Sequence, residues 1–399
     1  MPLFTKFEKL ARDRTALLSS GIDPFGAPIE QIFSPTEALI NGQRIILAGT
    51  NNYLGLSFAP ECLRAAHEAL DREGTGTTGS RMANGSFSGH RALERELAEF
   101  YGVRSCIVFT TGYQANLGMI SGLTGPGDVL MIDADCHASI YDGCKLSGAD
   151  VIRFRHNDAA DLRKRLKRLG ERVSSTLIIV EGIYSMLGDR APLADIVAAK
   201  EELGGYLLVD EAHSLGVLGT TGRGLVEETN VGERVDFVVG TFSKSLVGIG
   251  GYCVSNLPEL DLVRYVSRPY VFTASPSPSV IASTRAALKL VRDGKPLREK
   301  LWRSARRMYQ RLAELGYQLG PEPSPVIAVT VDTREQALAF WYGLFEHGIY
   351  VNLVFPPAAP GDKSLVRCSV SAAHTDEQID RICAAFATLK PMLASANAT

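Results

Sequence analysis

The stretches GYLLVDEAH (205–213) and VDFVVGTFSKS (235–245) each drive a short apolar run straight into a cluster of polar side chains. Their apolar residues are contiguous and do not alternate with polar ones, the mark of a strand covered on both faces. The same grammar recurs in SCIVFT (105–110), DVLMID (128–133), ADVIRFR (149–155), STLIIVE (175–181) and GGYCVS (250–255). Amphipathic stretches separate these runs, as in 161–172, where Leu162, Leu166 and Leu169 fall on one helical face. Strands alternating with helices predict βαβ units and a mostly parallel sheet, an α/β architecture. From about residue 276 the text changes. Long helical patterns (279–292, 296–316, 335–348, 376–392) enclose a few strands, notably 325–331 and 364–370, which predicts a smaller α+β domain. Before about residue 50 the pattern reads as a helix followed by an irregular arm. The expected division is therefore 1–50, 51–275 and 276–399.

Composition narrows the function classes. The 399 residues include 42 Lys+Arg and 44 Asp+Glu, a formal charge of -2, so no overall basic field points to a nucleic-acid partner. The basic stretch DLRKRLKRLGER (161–172) reads as a solvated helix face. Seven cysteines are scattered without a C-x-x-C pair, which predicts reduced thiols in the cytoplasm and neither a disulfide framework nor a metal site. The first fourteen residues carry mixed charges and no apolar core of a secretory signal. No run approaches the roughly 18 apolar residues of a spanning helix.

VDEAH (209–213) has the letters of an NTPase motif, but that chemistry needs a G-x-x-x-x-G-K-[ST] phosphate loop. The sole Gly-Lys pair, Gly294–Lys295, is followed by Pro296. Position supplies a better reading, because open α/β sheets bind ligands beyond the carboxyl ends of their strands. Asp210 and Lys244 both fall at such ends. A lone loop lysine is usually just solvated, yet a lysine and an aspartate on strand ends are what a pyridoxal phosphate (PLP) site requires. The lysine forms the Schiff base, and the aspartate keeps the ring nitrogen protonated. TTGYQANLG (110–118) ends a strand, turns on Gly112 and opens a helix at Tyr113, a ready site for a phosphate. Thr241 and Ser243 offer hydroxyls. His137 follows the strand DVLMID, placed either to cap a helix or to stack on a ring. EGTGTTGSRMANGSFSGH (73–90) is rich in small residues, fitting a close backbone approach to a ligand or a second subunit, or else a surface loop.

Together these motifs resemble the α-oxoamine synthases, PLP enzymes of the aspartate aminotransferase fold (fold type I). The likeness covers roughly residues 50–374. It includes NNYLGL (51–56), GTGTTGSR (74–81), RFRHND (153–158), VEGIYSMLGD (180–189), VDEAHSLGVLG (209–219) and LVRCSVSAAHT (365–375). GTGTTGSR, HASIYDGC (137–144) and RPYVFTAS (268–275) are most similar to the serine palmitoyltransferase branch. Asn51 stands where bacterial members of that branch often carry an aromatic residue.

The resemblance implies that Lys244 carries PLP, Asp210 meets its ring nitrogen, His137 stacks on the ring and His213 meets its phenolic oxygen. It implies a phosphate site of Gly112, Tyr113, Thr241 and Ser243, completed by Thr273 of a second subunit in a homodimer. Arg367 would pair with the amino-acid carboxylate, and Asn52 would lie near the substrate. The implied reaction condenses L-serine with a long-chain acyl-CoA and loses CO2, giving 3-ketodihydrosphingosine from palmitoyl-CoA. Two other readings stay open: a sister synthase such as 8-amino-7-oxononanoate synthase, and a non-catalytic subunit of the same fold. Contact with a membrane surface is also open, since the implied product is a lipid base.

Overall fold

The computed structural model describes residues 3–18 and 21–394. The outermost residues of the expected first and last segments therefore lie outside the described residues.

Three strands open the chain: β1 (Ile29–Ser34), β2 (Glu37–Ile40) and β3 (Gln43–Leu47). The central sheet follows with β4 (Ser105–Phe109), β5 (Val129–Asp133), β6 (Asp150–Phe154), β7 (Thr176–Glu181), β8 (Tyr206–Asp210), β9 (Phe237–Thr241) and β10 (Gly251–Ser255). The last part holds β11 (Val326–Val331), β12 (Ile349–Tyr350), β13 (Asn352–Val354) and β14 (Ser364–Ser369). The central order is β4-β10-β9-β8-β7-β5-β6. Only β10 runs antiparallel to its neighbours, β4 and β9, while β9, β8, β7, β5 and β6 pair in parallel. All seven strands expected from the apolar runs are present.

Every residue of β5, β7, β9 and β10 is buried, because helices cover both faces of the sheet. One strand direction then delivers the polar residues that follow the apolar runs to the same edge. The late helices form at Pro278–Arg292, Lys295–Glu314, Arg334–Glu346 and Asp376–Ala394, around an antiparallel sheet ordered β11-β14-β13.

The N-terminal arm differs from the expectation of irregular chain. It is an antiparallel meander, β1-β2-β3, completed in parallel by β12 from far along the sequence. The strands are four to six residues long, and β1 is largely exposed, so no long apolar run announces them. Pairing of β3 with Ile349 and Tyr350 supplies what local pattern lacks. The basic stretch forms the helix Ala159–Leu169, and three of its basic side chains are paired: Arg163 and Lys167 with Glu202, Arg165 with Asp161.

Candidate active site

A cavity of about 330 Å³ opens at the carboxyl edge of the central sheet. Its lining includes Gly112, Tyr113, His137, Asp210, His213, Thr241, Ser243 and Lys244, and adds Asn116, Ser139 and Glu181.

The acidic side starts at Asp210, the last residue of β8, which is almost wholly buried. Asn116 Nδ2 donates to its Oδ2 at 2.7 Å, and the Ala212 N–H donates to Oδ1 at 2.8 Å. Both bonds stabilise an oriented carboxylate. On the adjacent strand, Glu181 lies in register with Asp210 and accepts the backbone N–H of His137. Burial, then the charge of Asp210, pushes the Glu181 carboxyl well above the usual carboxylate range. Glu181 is thus prepared to hold a proton beside Asp210.

Lys244 follows β9 in the turn that leads to β10. Burial lowers its amine from an ordinary 10.5 to about 8, against the attraction of Asp210 and Glu181. Arg367 adds to the depression. His213 is buried, and its Nδ1 meets the Tyr53 hydroxyl at 2.7 Å. Burial first, then the charges of Lys244 and Arg367, hold this imidazole far below the histidine range, so it stays neutral. Burial also raises the Tyr53 phenol to about 12, so Tyr53 keeps its proton for the bond.

His137 caps the helix Ala138–Ser147, where its Nδ1 accepts the Ser139 N–H, and it also borders the cavity. The capping and cavity readings of this residue therefore coexist. Across the cavity, Thr111 caps the helix Gly112–Leu123 through the Gln114 N–H. A Cβ at Gly112 would come within 2.6 Å of Thr241 Cβ, so only glycine lets this helix start against the β9 turn. Thr241 Oγ1 and Ser243 Oγ sit 2.9 Å apart beside that start.

Three residues expected at the site stand apart from this cavity. Arg367 on β14 is buried nearby, with Nε on the Ser185 carbonyl (2.6 Å), Nη1 on Ser369 Oγ (3.1 Å) and Nη2 on Asn51 Oδ1 (3.3 Å). Asn52 donates to Ser57, and its Oδ1 is buried without a partner among the described residues. Thr273 follows the short helix Arg268–Val271 and faces Gln114 of its own chain at 3.4 Å. Conversely, Asn116, Glu181 and Tyr53 belong to the site and were not singled out from the sequence. Glu181 had a visible signal, since LIIVE ends an apolar run on an acid just as LLVD does.

These residues fit PLP. The helix start and paired hydroxyls suit a phosphate, the clash at Gly112 marks a close cradle, and Asn116 Oδ1 is a buried acceptor with no partner among the described residues. Asp210 suits a protonated ring nitrogen, and the amine of Lys244 suits an aldehyde.

Residues 43–386 match the family described as aminotransferase class I and II. A serine palmitoyltransferase of Caulobacter vibrioides is 55% identical over 96% of this chain and 95% of its own. An 8-amino-7-oxononanoate synthase of Geobacter sulfurreducens is 39% identical over 89% and 91%. Among solved structures, a Sphingomonas paucimobilis serine palmitoyltransferase with bound PLP–myriocin superposes with a TM-score of 0.96 at 46% identity, covering 99% of this chain and 100% of that one. The chain belongs to the class I and II aminotransferase family as a PLP-dependent α-oxoamine synthase that resembles the bacterial serine palmitoyltransferases.

Proposed function

We propose that this protein joins L-serine to a long-chain acyl-CoA, releasing CoA and CO2, with palmitoyl-CoA giving 3-ketodihydrosphingosine, the first step of sphingolipid synthesis. The observation that carries the reading is the cavity that gathers Lys244, Asp210, His137 and His213 in a chain matching serine palmitoyltransferases along almost its whole length.

When bound, PLP supplies an electron sink for negative charge at the serine α-carbon. Asp210, held by Asn116 and the Ala212 N–H, would keep the ring nitrogen cationic. His137, which borders the cavity, would cover one face of the ring. His213 stays neutral and directs a hydrogen bond to the phenolic oxygen, with Tyr53 fixing its orientation. The helix start at Gly112 and Tyr113, with Thr241 and Ser243, holds the phosphate. Arg367 receives the serine carboxylate, and Asn52 borders the substrate. Lys244 would anchor the cofactor and, as a free amine, would take the serine α-proton and return it at the end. Between those transfers the α-carbon attacks the thioester carbonyl, the C–S bond breaks and CO2 departs.

The protein acts as a homodimer in this reading. Leu262, Tyr265, Val266 and Phe272 are all more than half exposed beside Thr273, an apolar patch suited to a second copy. That copy would bring Thr273 to the partner's phosphate site. Among the described residues no helix is long and apolar enough to cross a membrane, and we place the enzyme in the cytoplasm with at most surface contact with lipid. The boundary near residue 275 separates the cofactor sheet from the segment bearing Arg367.

A thiol-release assay crossing serine, alanine and glycine with acetyl- and palmitoyl-CoA tests the assignment. Serine with palmitoyl-CoA is expected to give the highest kcat/KM. Faster turnover of alanine would move the protein to a sister activity.

A further inference from the structure

The motif RFRHND carries a histidine, His156, that lies outside the cavity, yet both of its ring nitrogens are engaged. His156 Nδ1 meets Asp133 Oδ1 at 2.8 Å and Nε2 meets Asp189 Oδ2 at 2.7 Å. Both partners are buried, and Asp135 stands 4.0 Å from Nδ1. Two carboxylates accept from one ring only when both nitrogens carry hydrogen, so the ring is a cation. Burial alone would make it neutral, but the two carboxylates override burial and raise its pKa to about 10. Tyr184 stands edge-on against the ring, with centroids 4.5 Å apart.

Each carboxylate governs a different turn. Asp133 ends β5 and accepts the N–H groups of Asp135 (2.9 Å) and Asn157 (2.8 Å), shaping the turn that delivers His137 to the cavity. Asp189 accepts Asn157 Nδ2 at 2.8 Å, and its carbonyl accepts the Tyr184 N–H at 2.8 Å, closing the turn 184–189. The Ser185 carbonyl of that turn is the one that holds Arg367 Nε. One side chain thus links the two turns at opposite ends of the amino-acid site. Remove it, and two buried anions face each other across the gap it bridged.

We infer that His156 is a positioning residue: by bridging Asp133 and Asp189 it keeps the turn bearing His137 in register with the turn gripping Arg367, and so sets the geometry in which serine binds. The inference rests on the proposed roles of His137 and Arg367.

The test is a double-mutant cycle on the PLP-loaded enzyme, read as serine affinity from the change in cofactor absorbance, alongside PLP content, melting temperature and kcat. His156→Gln is expected to retain PLP and weaken serine binding about tenfold, the scale of a small misplacement of a binding group. Arg367→Lys is expected to weaken it as well. The two together should lose less than the product of the single losses, because His156 acts through Arg367. If His156→Gln does not fold or load, Asp189→Asn decides. That variant keeps a hydrogen-bond partner for the ring but removes one anion, and it should weaken serine binding about threefold.

A folded His156→Gln or Asp189→Asn enzyme with wild-type serine affinity overturns the inference. So do losses that multiply fully with Arg367→Lys, since His156 would then act elsewhere. An Arg367→Lys enzyme with unchanged serine affinity refutes the carboxylate site itself and takes the inference with it.

Discussion

The floor and the rim of this site are built by different means. The floor, with Thr241, Asp210, Glu181 and the residues just beyond β4, β5 and β9, comes from the carboxyl edge of one sheet. Each of its side chains sits within a few residues of a strand end that burial fixes. The rim is assembled from three distant segments: residues 51–53, the turn 184–189, and β14 with the residues after it. Its parts are joined by single hydrogen bonds. Ala372 N–H donates to Tyr53 O at 2.7 Å, Ser371 Oγ to Asn52 O at 2.6 Å, and Ser369 N–H to Ala48 O at 2.7 Å. Gly55 lets the two chains pass, since a Cβ there would meet Ala373 Cβ at 2.6 Å. A floor made this way keeps its chemistry, while a rim held by a few long-range bonds can change substrate without dismantling it. Changes to the floor should therefore stop the reaction, and changes to the rim should alter substrate affinity.

The strongest test of the floor is Lys244→Ala. It removes the covalent anchor and the proton acceptor together, so turnover should fall by at least about ten-thousandfold. PLP should still bind through the phosphate end, now removable by dialysis, which cofactor absorbance before and after dialysis will show. Near-normal thiol release would refute the role of Lys244. Asp210→Asn comes next. The amide keeps the shape and the bond from Asn116 but cannot hold a cationic ring nitrogen, so kcat should fall about a hundredfold to a thousandfold. A normal melting temperature with that loss would place the effect in chemistry; an unchanged kcat would contradict it.

On the rim, Asn51→Ala removes the acceptor of Arg367 Nη2 and of Ser369 Oγ. Arg367 keeps its other two contacts, so the expected change is a rise in serine KM of about fivefold with kcat preserved. A fall in kcat with constant KM would erase the distinction between floor and rim.

The same division explains what was legible in the sequence. Buried parallel strands are continuous apolar runs, so all seven central strands and the strand-end positions of Asp210 and Lys244 could be read locally. Asn116 was hidden because a buried amide inside a helix has no local signal; its meaning comes from Asp210, 94 residues away. Tyr53 gains its role from His213, 160 residues away. The N-terminal meander was missed for a related reason, since the strand that completes it lies beyond residue 348. Sequence patterns report burial along an element, whereas the rim depends on which elements meet.

The smallest expected effect concerns the charge stored on the floor. In the cofactor-free protein Lys244 titrates near 8, against 10.5 for an ordinary lysine. Between those values the unfolded chain binds more protons than the folded one, so this group makes stability rise with pH across that window. Below pH 8 both states are protonated, and the cost of the buried ammonium is constant. Lys244→Met removes both the cost and the slope. The cofactor-free variant should therefore melt about 1–3 °C above the cofactor-free wild type at pH 7. That gap should shrink as pH rises from 8 towards 10.5, where the wild-type amine becomes neutral in both states. Tyrosine and cysteine titration affects the two proteins alike, so the difference isolates the lysine. A gap that stays constant over this range would mean that the amine is not held in a desolvating site, and that the floor does not prepare it as a base.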